Sequence, residues 1–433
     1  MRKLRVISLY ALLALTTLAV ALLTVGLYHA RIERTQSGAH KRLLIPLAGT
    51  SFGIDTYAGT GDAVAMPGFL DGPVVRRASN GEWNAVWYCE DKVYHRIGKD
   101  SELFIECGGK QIAYPVNRSP RVPHPVIATP GKIVVLSDIQ GDASYLDAAL
   151  SSLGVTNHDG QWNFGRNHLV IAGDAVDSGR EVFTVLWKLY RLSLQAHDAG
   201  GAVHVVLGNH EQYMLRGNTS YADPDHLYAL NQMGGQANAF AADTVIGHWL
   251  RQQPVMLKAG DTLIAHGGIS PQVAATGLAL EEMNTAMIRY WNGTLATPAE
   301  LDAMLGPAGL THYRGYFEDG GERYALATRE EVETVLQRFG ATRIVVGHTQ
   351  VDRVSSFHDG RVWNVDVNSK EAQDQALLIE DGRLSVVSTG VARRHEQSPR
   401  TERAFAIGEA HDWTMLAGLI SSNFALSRLV RSY

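Results

Sequence analysis

The chain has 433 residues, 45% apolar and 19% charged, with a formal net charge of −5. That length allows two or three domains, and the composition is that of a globular protein with a large core. The weak negative balance gives no electrostatic case for nucleic acid as a partner.

Residues 1–30 read as a signal anchor or a signal peptide. Arg2, Lys3 and Arg5 precede an uncharged run from Val6 to Tyr28, long enough as a helix to cross a hydrocarbon core of about 30 Å. Ala19-Val20-Ala21 offers a small-residue cleavage site. Leu22, Leu23, Val25 and Leu27 continue the apolar run beyond it, which favours a retained membrane anchor with the body on the periplasmic or extracellular side. Secretion to the periplasm after cleavage is the alternative.

Residues 31–50 read as a linker. From 51 to 130, Gly, aromatic and turn residues are frequent, and two stretches around "NAVWYCEDKVYHRI" and "ELFIECGGKQIAYPV" alternate at period two. They predict a small antiparallel β-rich unit. Cys89 and Cys107 are the two cysteines. In an exported chain they pair across a hairpin; two buried free thiols are the alternative. Prolines from 115 to 130 mark a boundary.

From 131 to 388, strands alternate with helices, which indicates a layered α/β domain. Residues 389–433 form a charged tail ending in an amphipathic helix. Five apolar runs end in ligand-type residues: "VVLSDIQGD" at Asp138, "LVIAGDAVD" at Asp174 and Asp177, "VVLGNHE" at Asn209 and His210, "LIAHGG" at His266, and "IVVGHT" at His348. Each end alone has a bland explanation, as a helix cap or turn closure. Together they converge on the carboxyl edge of a sheet, where sites gather in open α/β folds. Mixed Asp and His donors suit Mn, Fe or Zn better than Ca. His158, His168, His204, His248 and His312 show no partner spacing and read as structural.

The order of these motifs resembles the calcineurin-like metallophosphoesterases. More narrowly it is similar to the phosphoprotein phosphatase branch and its bacterial Shewanella-like group, whose pattern "LGNHE", "HGGIS", "YRGY" and "VVGHT" follows. The resemblance implies a layered α/β/β/α sandwich and a metal-dependent phosphomonoesterase of the serine/threonine phosphoprotein phosphatase kind. It implies two divalent cations, manganese favoured, and a metal-activated water as nucleophile. Asp138 and Gln140 would serve the first cation, and Asp174 would bridge both. Asn209, His266 and His348 would serve the second. His210 would protonate the leaving group, oriented by Asp177, and Arg314 would clamp phosphate.

Two positions depart from the pattern. Gln140 stands where the family has histidine, and its carbonyl oxygen can still ligate, but more weakly than imidazole. Ser178 stands where the family has a phosphate-binding arginine, so Arg180 becomes the substitute candidate. Gln350 stands where phosphodiesterase-like members carry a second histidine, which tilts the reading toward monoesters. A phosphodiesterase or nucleotidase, or a degenerate binding-only relative, are the other readings.

Overall fold

Strand alternation decides the architecture of the larger part of the chain. In β10 (Lys132–Leu136), Ile133 and Val135 face one buried layer, and Val134 and Leu136 must face the other. A computed structural model describes residues 13–17, 20–22, 24–47, 50–127, 131–294, 296–393 and 400–423. Of these, the described residues up to 65 together with those from 400 on form one compact unit, and those from 66 to 393 another.

In the first unit, β1 (Arg31–Thr35), β2 (His40–Leu47) and β3 (Thr50–Tyr57) form an antiparallel sheet, extended by the strand Arg400–Ala404 against β1. Leu27, Ala30, Ile32, Leu43, Ile45, Phe405 and Met415 fill its core. The stretch expected to be a linker, 31–50, is therefore mostly strand, because Ile32, Leu43 and Ile45 find apolar cover. The tail contributes a strand as well as the helix Ala410–Asn423. Among the described residues no helix is long and apolar enough to cross a membrane. The anchor expected over residues 6–28 falls partly outside the described residues; residues 13–17, 20–22 and 24–28 are helical.

The second unit opens with a β-rich layer. β4 (Leu70–Arg77), β5 (Trp83–Cys89) and β6 (Lys92–Gly98) form an antiparallel sheet, and β7 (Leu103–Cys107) and β8 (Lys110–Tyr114) a hairpin. A disulfide joins Cys89 to Cys107. It ties β5 to β7, two different sheets, rather than the arms of one hairpin. The layer begins at residue 66 rather than 51 and is fastened to the helices of the same unit. Asp71 and His226 form a buried pair at 2.7 Å. Trp187 Nε1 donates to the Pro73 carbonyl at 3.0 Å.

The remaining strands build two sheets. β9 (Val126–Ile127), β10, β11 (His168–Ile171), β12 (Ala202–Val205), β13 (Met256–Ala259), β14 (Thr262–Ala265), β15 (Arg343–Val346), β16 (Ser355–Phe357), β17 (Val362–Asn364), β18 (Gln375–Glu380) and β19 (Arg383–Ser388) follow in chain order. One sheet runs β12-β11-β10-β18-β19 and the other β16-β17-β15-β14-β13-β9. They meet through Ile133, Val135, Val170, Leu257, Ile264, Val345 and Leu377. The outer face of the second sheet, through Met256, Leu263, Ile344 and Val362, packs on helices Leu280–Trp291 and Arg329–Arg338. Helix Val182–Asp198 covers the first sheet near β12 and buries most of its apolar side chains. Each fully buried aliphatic side chain contributes roughly 1.5–3 kcal/mol. The result is a mixed α/β sandwich with helices outside two sheets.

Candidate metal centre

β10, β11 and β12 are mutually parallel, as are β14, β15 and β17, so the turns after them emerge at common sheet edges. Those turns hold an unusual backbone. Asp138, Gln140, Asp174, Asp177, Ser178 and His348 all have φ between 49° and 65°. Non-glycine residues rarely adopt that region, and each costs about 1–2 kcal/mol. Hydrogen bonds between neighbouring turns offset this. The Asp138 and Gln140 N–H groups donate to the carbonyls of Gly173 and Asp174 at 3.0 and 2.9 Å, and Gly347 N–H to that of His266 at 2.8 Å.

Glu211 stabilises this backbone. Its fully buried carboxylate accepts from the N–H groups of Gly208, Asp174 and Ala175 at 2.7, 3.0 and 2.7 Å. Burial first, then the Asp174 charge, lift it to about 7. Asp142 caps helix Ala143–Ser152, where its Oδ1 accepts from Tyr145 N–H at 2.8 Å.

Asp174, His266 and His348 are all buried, and each offers one ligand atom within 4.8 Å of the others. His266 Nε2 lies 3.0 Å from both Asn209 Oδ1 and Asp174 Oδ2. Its Nδ1 is anchored 2.9 Å from the Ala172 carbonyl, which fixes the ring and aims Nε2 inward. Burial lowers the His266 pKa, but the Asp174 and Asp138 carboxylates outweigh it and hold it up to about 10. Burial first, then His266 and Arg314, keep His348 well below its usual value. Three acceptor or imidazole groups thus crowd around one spot, and the mixed N/O set fits Mn, Fe or Zn. Glycine keeps the spot open. A Cβ at Gly208 would collide with Asp174 Oδ1, and one at Gly347 with Ser137 Oγ and Asp138 Oδ2.

Asp138 Oδ2 accepts from Ser137 Oγ at 2.6 Å and from His348 N–H at 3.1 Å, so it stands beside the same cluster. His210 Nδ1 is 3.2 Å from Asp177 Oδ2, and its Nε2 is 3.7 Å from Asp174 Oδ2. Burial opposes its charge, but Asp174 and Asp177 prevail and raise it to about 9.

Residues 131–352 match the family model described as calcineurin-like phosphoesterase. The chain belongs to that family. A crystal structure of a cold-active protein-tyrosine phosphatase from a psychrophilic Shewanella is 31% identical, with a TM-score of 0.66, covering 77% of this chain and 99% of that one. Shewanella-like protein phosphatase 1 of Plasmodium berghei is 22% identical over 295 residues, 63% of this chain and 78% of that protein. A symmetrical bis(5'-nucleosyl)-tetraphosphatase of Vibrio cholerae is 30% identical over 156 residues, 35% of this chain and 51% of that protein. The calcineurin-like assignment makes this chain a metal-dependent hydrolase of phosphate esters.

Not every expected residue of this phosphoesterase site stands free to act. The Gln140 carbonyl oxygen already accepts from Asn368 Nδ2 at 3.1 Å. Arg180 is engaged elsewhere: its guanidinium lies 4.3 Å over the Phe69 ring and 3.5 Å from Asp225 Oδ2. It fastens the β-rich layer, which removes the argument for Arg180 as the substitute phosphate ligand. Arg314 is about a third exposed, and its nearest carboxylate, Glu318, is 3.9 Å away.

Motif reading also passed over several neighbours. His312, read as structural, lies against the cluster: its carbonyl is 3.2 Å from His348 Nε2, and its ring nitrogen 3.1 Å from Tyr213 Oη. Tyr213 and Tyr221 stack on each other and flank His210. Asp366, Asn368 and Arg393 come from the far end of the domain. No spacing linked them to the first motif.

Proposed function

We propose that this protein is a phosphomonoesterase acting on phosphorylated protein, with two divalent cations, manganese favoured, held at Asp138, Asp174, Asn209, His266 and His348. When bound, such cations supply Lewis acidity and a nucleophilic water at neutral pH. The residues of the chain supply the rest. His210, kept protonated by Asp177 and Asp174, donates its proton to the leaving oxygen. Arg314, weakly tied to Glu318, is available to the phosphate oxygens. Tyr213 and Tyr221 give His210 an aromatic wall suited to an aryl leaving group, which agrees with the named activity of the Shewanella phosphatase. The observation that carries the reading is His210 held by Asp177 beside the cluster of Asp174, His266 and His348.

The full-length protein with added Mn²⁺ is expected to hydrolyse an aryl phosphate. His210→Asn and Asp174→Asn should each remove that turnover. Undiminished activity in both variants would refute the assignment. A second reading, hydrolysis of nucleotide anhydrides, is favoured by the similarity to the Vibrio tetraphosphatase. Gln350 argues against a diesterase, and a panel of one aryl monoester, one diester and one dinucleoside polyphosphate separates them.

The site of action is proposed to be outside the cytoplasm. The basic, apolar start of the sequence and the Cys89–Cys107 disulfide support it. Cell fractionation followed by intact-mass measurement tests it: a cytosolic protein with free thiols would rule it out. The mass tells an anchored from a cleaved form.

A further inference from the structure

Gln140 leaves the first half of the metal centre short of a strong ligand. β17 runs parallel to β15, with Val346 opposite Asn364. The residues after β17 therefore emerge at the sheet edge that carries His348. Asp366 lies there, 1% exposed, and its Oδ1 has no hydrogen-bond partner among the described residues. Its backbone is pinned: its N–H donates to Asn364 Oδ1 at 2.9 Å, and its carbonyl accepts from Val351 N–H at 3.0 Å. The charges that act on it most strongly are, in order, Asp138, Arg393, His266 and Asp174. Two residues on, Asn368 holds the Gln140 side chain.

Two buried carboxylates, Asp138 and Asp366, therefore share one region of low dielectric. Like charges placed so repel strongly, and either a proton on one carboxyl or a cation between or beside them relieves the repulsion. Arg393 is the basic side chain that acts most strongly on it, ahead of His266, and it is 8% exposed. It does not close the gap. Its Nη2 donates to the Ile139 carbonyl at 2.8 Å, and its Nε and Nη1 have no partner among the described residues. An unpaired buried carboxylate oxygen thus points to a missing cation rather than to a completed ion pair.

We propose that Asp366 is a ligand of the first divalent cation, and that its carboxylate replaces the imidazole that Gln140 does not provide. The half-site is then Asp138, Asp174 and Asp366, whose oxygens draw together when the ion binds, since among the described residues the group already within ligand range is Asp174, His266 and His348; Gln140 is held aside by Asn368. This rests on the metal-dependent reading above. It changes the ligand chemistry of that half-site toward an all-oxygen set, which favours manganese or magnesium there over zinc.

The deciding measurement is metal stoichiometry of the full-length protein, by elemental analysis and by Mn²⁺ titration, with no assay of turnover. The wild type should bind two Mn²⁺ per chain. Asp366→Asn should bind one, the first-site affinity falling by at least about tenfold to a hundredfold. Asp366→Asn with Gln140→His should recover the second equivalent, and Asp366→Glu should keep it. An Asp366→Asn protein that still binds two with unchanged affinity overturns the proposal. A wild type that binds no Mn²⁺ overturns the metal-dependent reading itself. Should Asp366→Asn fail to fold, a crystal structure of the Mn²⁺-loaded wild type decides. It should show an Asp366 oxygen about 2.2 Å from a cation. An Asp366 paired to Arg393 and away from both cations is the opposite result.

Discussion

Nδ1 of His210 lies 3.2 Å from Oδ2 of Asp177, on a histidine whose other nitrogen faces Asp174. Burial disfavours the imidazolium, but the two carboxylates raise it to about 9. A proton donor with a raised pKa is charged through neutral pH and loses its proton above it. Turnover should therefore hold near neutrality and fall as pH passes about 9. Asp177→Asn should move that alkaline limb to lower pH and reduce kcat by about a hundredfold, within the range of general-acid effects. An unshifted limb in the variant would show that Asp177 does not orient His210.

The buried pair Asp71–His226, at 2.7 Å, gives a separate pH dependence, of stability rather than turnover. Burial lowers the His226 pKa, yet Asp71 chiefly, with Asp177 and Asp223, raises it above 6.5. Because the folded value is the higher one, the pair stabilises fully below the unfolded pKa of about 6.5. That contribution is lost as pH rises through the folded value. Asp71→Asn should destabilise by about 3–5 kcal/mol at pH 6, as expected for a broken buried pair. The difference from wild type should shrink in alkali. Urea unfolding at pH 6 and pH 9 measures both, and an equal difference at the two values would contradict the ion pair.

Much of the candidate site was legible because each proposed ligand follows closely on an apolar strand: Asp138, Asp174, Asn209, His266 and His348 each come after a β run and a small residue. The parts that escaped are those set by topology alone. Asn368 reaches Gln140 across 228 positions, and Asp366 follows a three-residue strand with no motif of its own. Arg180 misled because proximity in sequence to Asp177 says nothing about Phe69 and Asp225, which claim its side chain. The linker expected at 31–50 misled for a similar reason. "RIERT" and "HKRLLI" carry too many charges to read as strands, and the strand that completes their sheet lies at Arg400–Ala404.

Gly208 should be sensitive although its backbone is unexceptional, with φ of −94°. The cost is steric: a Cβ there meets Asp174 Oδ1, and Asp174 N at 2.7 Å. Gly208→Ala should displace the Asp174 carboxylate. A misplacement of about 1 Å at a reacting centre costs about a hundredfold in rate. Bound Mn²⁺ should fall in parallel while the circular dichroism spectrum stays that of the wild type. Wild-type metal content in this variant would show that the turn relaxes without moving Asp174.

Arg314 separates phosphate recognition from stability. Its contact with Glu318, at 3.9 Å and largely exposed, is an i,i+4 pair worth at most about 0.5 kcal/mol. Removing it should leave the melting temperature almost unchanged. The guanidinium charge lowers the pKa of both His348 and His312. Arg314→Ala should lower kcat/KM by about a hundredfold and weaken inhibition by inorganic phosphate. Arg314→Lys should recover part of the charge effect but not the two-pronged contact that a planar guanidinium makes. If phosphate inhibition were the same in all three proteins, Arg314 would not touch the phosphoryl group, and the clamp would have to come from another residue.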